Sequence, residues 1–404
     1  MRVLIIVGLS GLLVALSACQ SSQVLPTVVN VQGVQTAAAQ TQVARPTATA
    51  TPTKLNQLPP TFTPTPSETA QATVTPVPLR SAGRIYYLYN DDSIATVNAN
   101  GTDNAIVVTL GVGKSISEYA VSPDHTRLAF VAPGAGSGRE VYTSDISGAN
   151  VQKLSCLGFS DVRSLVWTPD GQQILFFAAP AAGASGDIYI MQSTNGQGCP
   201  NGNSQRVLAP LQAVDFRAMT LNRSGSLLFY AGGGTSIYIW DMQTNARYLA
   251  SGEPAYGPDS FPRQNPATDT LAFLRQSGSG SQTAGNLILL TDSTRAPAAP
   301  SQSAGEPYEA LDLRWSQDGS LLLMMKAAGI LVFDTSENSL IPLPLTGLRL
   351  PEAAAANRSA IAYTAYDAKN VIQIYIYDLA QEKPRQVTTN PDGTIRSITW
   401  VEGA

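Results

Sequence analysis

From Arg84 to the C-terminus, short apolar runs alternate with turns built from Pro, Asp, Asn and Gly. The clearest unit is Val166-Trp167-Thr168-Pro169-Asp170-Gly171-Gln172-Gln173-Ile174-Leu175-Phe176-Phe177. Close copies run from Val121 to Phe130 and from Trp315 to Leu322. Weaker ones start near Leu221, Gln264 and Ala354. Each reads as a short strand, a tight turn and a second, strongly apolar strand. Pro presets φ in the turn, Asp bonds locally, and Gly accepts positive φ. A further strand ending in an Asp turn follows, as in Ile237-Tyr238-Ile239-Trp240-Asp241, Leu331-Val332-Phe333-Asp334 and Ile374-Tyr375-Ile376-Tyr377-Asp378. After it comes a fourth strand, such as Val151–Leu154 or Arg385–Val387.

Four strands per repeat is the content of a propeller blade. The anchors of the first strands are Val121, Trp167, Leu221, Gln264, Trp315, Ala354 and Trp400, spaced 39 to 54 residues apart. A blade needs roughly that length. The last anchor lies almost at the C-terminus, so that copy has its first strand alone. Conversely, Arg84–Tyr89, Ser93–Val97 and Ala105–Val108 are three strands that lack a first. The halves fit each other. The prediction is an all-β propeller of seven four-stranded blades, its N-terminal blade completed by the C-terminal strand. Six or eight blades are the alternatives, and either would contradict that closure. The Ser-Pro-Asp-Gly-like turns and Ile-Tyr-Ile-x-Asp strands resemble the WD-like repeat of the TolB family, over about residues 83–401. That resemblance implies the fold and leaves function open, because many lineages reuse the repeat.

Upstream, the pattern changes twice. Val3 to Leu16 is an apolar run after Met1-Arg2. It is short for a membrane span and has the length of a secretory signal. It ends in Leu16-Ser17-Ala18-Cys19, which resembles a bacterial lipobox, where cleavage leaves a lipidated cysteine first in the mature chain. Residues 1–18 are therefore expected to be a lipoprotein signal peptide and Cys19 the lipid site, because several acyl chains anchor stably where one does not. The implied address is extracytoplasmic: the outer face of the cytoplasmic membrane, or the outer membrane where there are two, as Gln20 would suggest. Residues 19–82 show no apolar period. Residues 46–79 hold eight Pro and ten Thr. Such a tract favours polyproline II and reads as a linker, reaching on the order of 190 Å if fully extended. The propeller domain is expected over 83–404.

Composition narrows the chemistry. Charged residues make up 13% of the chain, the net charge is −4, and there is one histidine. No basic footprint for nucleic acid exists. No multi-histidine metal site is available, and no cofactor motif appears. His125 takes the turn position that Gly171 and Gly319 hold in sister repeats, which predicts an exposed turn residue. The Gly-rich stretches 133–138, 183–186 and 277–280 lack a phosphate-loop lysine and read as hairpin loops. Asp91-Asp92 and Asn98–Asp103 do not complete a calcium loop. Cys156 and Cys199, in an exported chain, permit a disulfide. One charge pattern stands out: Glu118, Arg163, Arg217, Asp259, Asp312, Glu352 and Arg396 each precede an anchor by a few residues. First strands line the channel of a propeller, so these are candidate residues of its mouth.

The expectation is a monomeric, membrane-anchored binding or scaffold module for an envelope protein, peptide or glycan, and not an enzyme. Its rivals are a propeller hydrolase or lyase acting on extracellular polymers, and a structural subunit of an envelope complex.

Overall fold

The computed structural model describes residues 83–402, apart from 111–113, 135–137, 195–204, 212–217, 233–235, 250–258, 277–283, 291, 295–301 and 304–307. The expected signal peptide (1–18) and linker (19–82), with Cys19, therefore lie outside the described residues. The rest forms seven antiparallel sheets, which are the seven blades. Blade 1 has the order 395–402, 83–89, 93–98, 105–109, so the C-terminal strand is its innermost member. Ile395–Glu402 pairs with Gly83–Tyr89, with Arg84 opposite Val401 and Tyr86 opposite Thr399. Blades 2, 3, 4, 6 and 7 begin with strands Glu118–Val121, Asp161–Trp167, Met219–Leu221, Asp312–Trp315 and Ala353–Ala355. Blade 5 begins with Asp259–Gln264, and its outer strand is split into Gln302–Ser303 and Tyr308–Glu309.

Local chemistry explains the repeated turn. Ser122, Thr168 and Ser316 each donate a hydroxyl to the Asp two residues on, at 2.6, 2.6 and 2.7 Å. Each hydroxyl oxygen also accepts the backbone N–H that opens the next strand, at 2.9 Å. The turn then needs a left-handed residue, supplied by His125 (φ 58°), Gly171 (67°) and Gly319 (73°). The hydroxyl bonds hold the Asp124 and Asp170 carboxyls below their ordinary range. At the end of the third strand, on the same face, Asp241, Asp334 and Asp378 each accept two backbone N–H groups and close the following turn.

Why the second strands carry unbroken apolar runs over most of their length follows from the packing. Each blade is sandwiched between two others. In Gln173–Ala179, Ile174, Phe176 and Ala178 join the core shared with blade 2, while Leu175, Phe177 and Ala179 join the core shared with blade 4. Alternation in space thus becomes a continuous run in sequence. Seven such cores occur, one per pair of adjacent blades, including those between blades 7 and 1 and between 1 and 2. The ring is closed by packing as well as by strand pairing. Indoles pin neighbours together: Trp167 Nε1 donates to Ala120 O at 3.2 Å, and Trp315 Nε1 to Arg263 O at 2.9 Å.

Candidate binding site in the central channel

The innermost strands enclose a cavity of about 680 Å³ to which all seven blades contribute. Its chemistry falls into two zones, set by the direction of those strands. They start at the face carrying the loops between second and third strands, here the hairpin face. They end at the face carrying the Ser-Pro-Asp turns.

At the turn face, His125 of blade 2 meets Gln317 of blade 6, with Nε2 to Nε2 at 2.6 Å. Gln317 Oε1 accepts the Glu402 N–H of blade 1 at 2.9 Å. With its oxygen so used, the amide nitrogen donates. The imidazole then accepts at Nε2 and carries its proton on Nδ1, an assignment made from the hydrogen-bond network. His125 is therefore half-buried and lines the channel, which corrects the exposed-turn expectation. The turn chemistry is as expected, but the ring bends the turn inward, towards a blade distant in sequence.

Nearer the hairpin face lies an ion-pair network. Arg263 Nη2 donates to Asp312 Oδ1 at 2.6 Å, and Arg263 Nε to Leu313 O at 2.7 Å. Arg314 uses three nitrogens on three acceptors: Nε on Asp312 at 3.2 Å, Nη1 on Ile398 O at 3.0 Å, and Nη2 on Glu352 at 2.5 Å. It therefore ties blade 6 to blades 7 and 1. Withdrawal from water alone would raise the Asp312 carboxyl. Arg263 and Arg314 outweigh that and hold it below the usual range. Burial likewise opposes the charge on Arg314, and Glu352 and Asp312 reverse the effect and raise its pKa. Water still reaches about a quarter of each side chain through the channel, 26% for Arg314 and 24% for Asp312.

Glu118 is held differently. Its two oxygens accept the backbone N–H groups of Ser164 at 2.6 Å and Leu165 at 2.8 Å. Those groups are free because the first strand of blade 3 bulges between Arg163 and Val166, with Ser164 at φ 59°. Phe261 and Ser397 also have positive φ, each three residues before an anchor, in first strands whose pairing is interrupted. Burial raises the Glu118 pKa. The two N–H groups, Arg263 and Arg163 offset only part of that. Arg163 lies 3.4 Å from Asp161 and over the Phe177 ring.

The seven charged positions do not form one rim. Glu118, Arg163 and Asp312 line the cavity. Glu352 reaches it through Arg314 and lines a smaller cavity beside it. Asp259 is buried against Arg275 within blade 5, at 2.9 Å. Arg396 turns outward to Asp91 at 2.5 Å, both about half exposed. Arg217 lies outside the described residues. Offsets of two to five residues from the anchors send these side chains to both sides of a pleated strand. The two arginines at the heart of the network, Arg263 and Arg314, were missed. Their signal is that each immediately precedes an anchor, Gln264 or Trp315, so alternation turns it away from the anchor and towards the channel.

Cys156 is disulfide-bonded, while Cys199 lies outside the described residues. Gly134 and Gly138, and Gly183 to Ser185, sit between second and third strands as expected, with Gly186 opening the third strand; 135–137 and 277–280 lie outside the described residues. Asn98 donates to Thr102 at 2.8 Å and Asp103 at 2.7 Å, which is turn bonding. Among the described residues, no group of three or more His, Cys, Asp or Glu is placed to hold a metal, and no helix is long and apolar enough to cross a membrane.

No protein-family model matches the chain, and no curated protein sequence matches it. Solved structures are similar to it in fold. A functionally unknown protein from Desulfotomaculum acetoxidans superposes with a TM-score of 0.53 at 11% identity, covering 78% of this chain and 98% of that one. An oligogalacturonate lyase in complex with manganese gives 0.51 at 14% identity, covering 77% and 87%. TolB from Acinetobacter baumannii gives 0.47 at 13% identity, covering 79% of this chain and 66% of that one. At such identities the likeness is one of architecture. The chain is a seven-bladed β-propeller with a polar, charge-paired central channel.

Proposed function

We propose that the protein is an exported, lipid-anchored binding module that offers the hairpin face of its propeller to an envelope protein or peptide. The observation that carries this reading is the state of the channel's carboxylates. Asp312 and Glu352 are taken up by Arg263 and Arg314, and Glu118 by two backbone N–H groups. A general acid–base pair needs free carboxyls within reach of a substrate proton. Here they instead set up a fixed, neutral pattern of donors and acceptors, which favours recognition. The Leu-Ser-Ala-Cys19 segment supports membrane anchoring, and the Pro/Thr-rich linker supports display away from the surface.

Two measurements test it. Incorporation of a labelled fatty acid should depend on Cys19 and vanish in Cys19→Ala. A photo-crosslinker placed at Ser117, on the hairpin face of the full-length protein, should trap a discrete partner in cells. A crosslinker at Gln243, on the turn face, should not. No adduct under several growth conditions would count against the reading.

One observation favours a polymer-cleaving enzyme as the second reading: the raised Glu118 carboxyl in the channel, on a fold shared with a lyase. Hydrolysis or elimination of envelope or plant-type polyuronides, lost in Glu118→Gln, would establish it.

A further inference from the structure

The connection between blades 6 and 7 presents a leucine to solvent. Leu350 is 69% exposed and has φ 47°, a left-handed conformation that is rare for a bulky side chain. The loop is not slack. Leu348 is buried in the core between blades 6 and 7, and Pro351 is buried as well. The Leu350 N–H donates to Ala327 O at 2.7 Å, and Gly347 O accepts the Tyr366 N–H at 3.2 Å. The Arg349 guanidinium lies 5.3 Å from the Tyr366 ring centre. The surrounding contacts thus hold an apolar side chain out in water by means of a strained backbone. Strain of that kind persists where the rest of the structure over-determines it, and it concentrates at functional sites.

Beside Leu350 is a dimple of about 160 Å³, next to the channel mouth. Its apolar wall is Leu311, Met325, Leu350 and Pro351, and Leu311 is itself 38% exposed. Two carboxylates, Asp312 and Glu352, also line it, but both are engaged by arginines on their channel side. Lys326 also lines the dimple, and Arg349, which precedes Leu350 in the chain, rests on the Tyr366 ring. Among the described residues, neither Lys326 nor Arg349 forms an ion pair with a carboxylate.

From this we infer that the Leu311–Leu350 dimple docks an acidic peptide segment of a partner protein. One aliphatic side chain seats between the two leucines, and flanking carboxylates face Lys326 and Arg349. Charge complementarity selects the partner: Lys326 on the wall and Arg349, next to Leu350 in the chain, face no carboxylate partner among the described residues, while the acids of the wall are already engaged by arginines. A concave site with room for a single side chain suits a peptide better than the broad surface of a bilayer. The inference rests on the binding-module reading above and narrows it.

The test is to pan a random dodecapeptide display library on the full chain and to measure the enriched sequences by fluorescence anisotropy. Enriched peptides should carry an aliphatic residue flanked by Asp or Glu. Leu350→Gly should weaken their binding at least tenfold while leaving the thermal midpoint unchanged or higher, because glycine adopts this φ without strain. A leucine with a merely structural role would lower the midpoint instead. Lys326→Glu with Arg349→Glu should weaken binding at least tenfold and turn preference towards basic peptides. The inference is overturned if panning yields no acidic-aliphatic motif, or if these variants bind the peptides unchanged. It is also overturned if phosphatidylglycerol vesicles, and not peptides, bind in a Leu350-dependent way. In each of those cases a partner trapped from Ser117 would leave the binding-module reading standing.

Discussion

Deleting residues 395–404 tests the closure of the ring. The deletion removes the innermost strand of blade 1 and its whole ladder with Gly83–Tyr89. Four side chains leave the core: Ile395 (3% exposed), Ile398 (1%), Trp400 (4%) and Val401 (1%). Full burial of such residues contributes about 1.5–3 kcal/mol each, so the loss is on the order of 6–12 kcal/mol before any hydrogen bond is counted. Two interfaces are damaged at once, since Ile395, Ile398 and Trp400 pack towards blade 7 and Val401 towards blade 2. The loss is comparable to the whole stability of a typical domain, about 5–15 kcal/mol. The truncated chain should therefore lack a cooperative melt by circular dichroism, or melt at least 10 °C lower, at roughly 2 °C per kcal/mol for a domain of this size. A synthetic peptide of residues 393–404 should restore part of the transition by strand addition. Trp400→Ala in the intact chain should cost about 3–5 kcal/mol. If the truncated protein melts cooperatively within a few degrees of the full chain, the C-terminal strand does not close the ring.

The channel network supplies the remaining predictions. Arg314→Met strips Glu352 of its cation and leaves Asp312 with Arg263 alone, and should destabilise by about 3 kcal/mol in urea titrations, with no rescue by Arg314→Lys, because one ammonium cannot span three acceptors in three blades. Asp312→Asn should cost roughly 2 kcal/mol near neutral pH. The folded-state pKa of Asp312 is lowered, so its contribution is present above the ordinary carboxyl value of 3.8 and is lost as pH falls through the lower folded value. The gap between wild type and Asp312→Asn should accordingly narrow as pH falls below about 4, and a gap that widens there would contradict the sign. Glu118, whose pKa is raised, acts the other way: its contribution is lost as pH rises above 4.5, which is why the comparison uses the Asp312 variant alone. Arg127→Met removes bonds to Ser193 Oγ (2.7 Å) and Gly171 O (2.6 Å) and the contact with Trp167, and should lower stability by about 2 kcal/mol.

Much of the candidate site was half legible. Glu118, Asp312 and Arg163 could be found because first strands line a channel and charges are scarce in this chain. Their partners could not. Arg263 and Asp312 are 49 residues apart, and Arg314 reaches Ile398 O across 84. Only the curvature of the ring brings those positions together. Arg396 had the same sequence signature as Arg163 and points outward to Asp91, beside the bulge at Ser397 that shifts the strand's register. Bulges of this sort leave little trace in sequence, because a single extra residue in a short strand changes the facing of everything before it. His125 shows the same limit. Its turn was recognisable, yet its contact lies 192 residues away.

Local and tertiary information thus divide cleanly. Strand identity, the Asp-centred turns, the repeat length and the complementary halves at the two ends are properties of neighbouring residues, and the sequence by itself determined them, blade number included. The second strands were recognisable as strongly apolar, and the structure gives the reason: alternate positions face two different cores. The tertiary structure decided which side chains meet in the channel, that its carboxylates are consumed by arginines and backbone N–H groups, and that Leu350 stands exposed on a strained loop. Those facts depend on the angle between blades and on register within a strand. Both are set by packing around the whole ring, and no local stretch of the chain encodes either one.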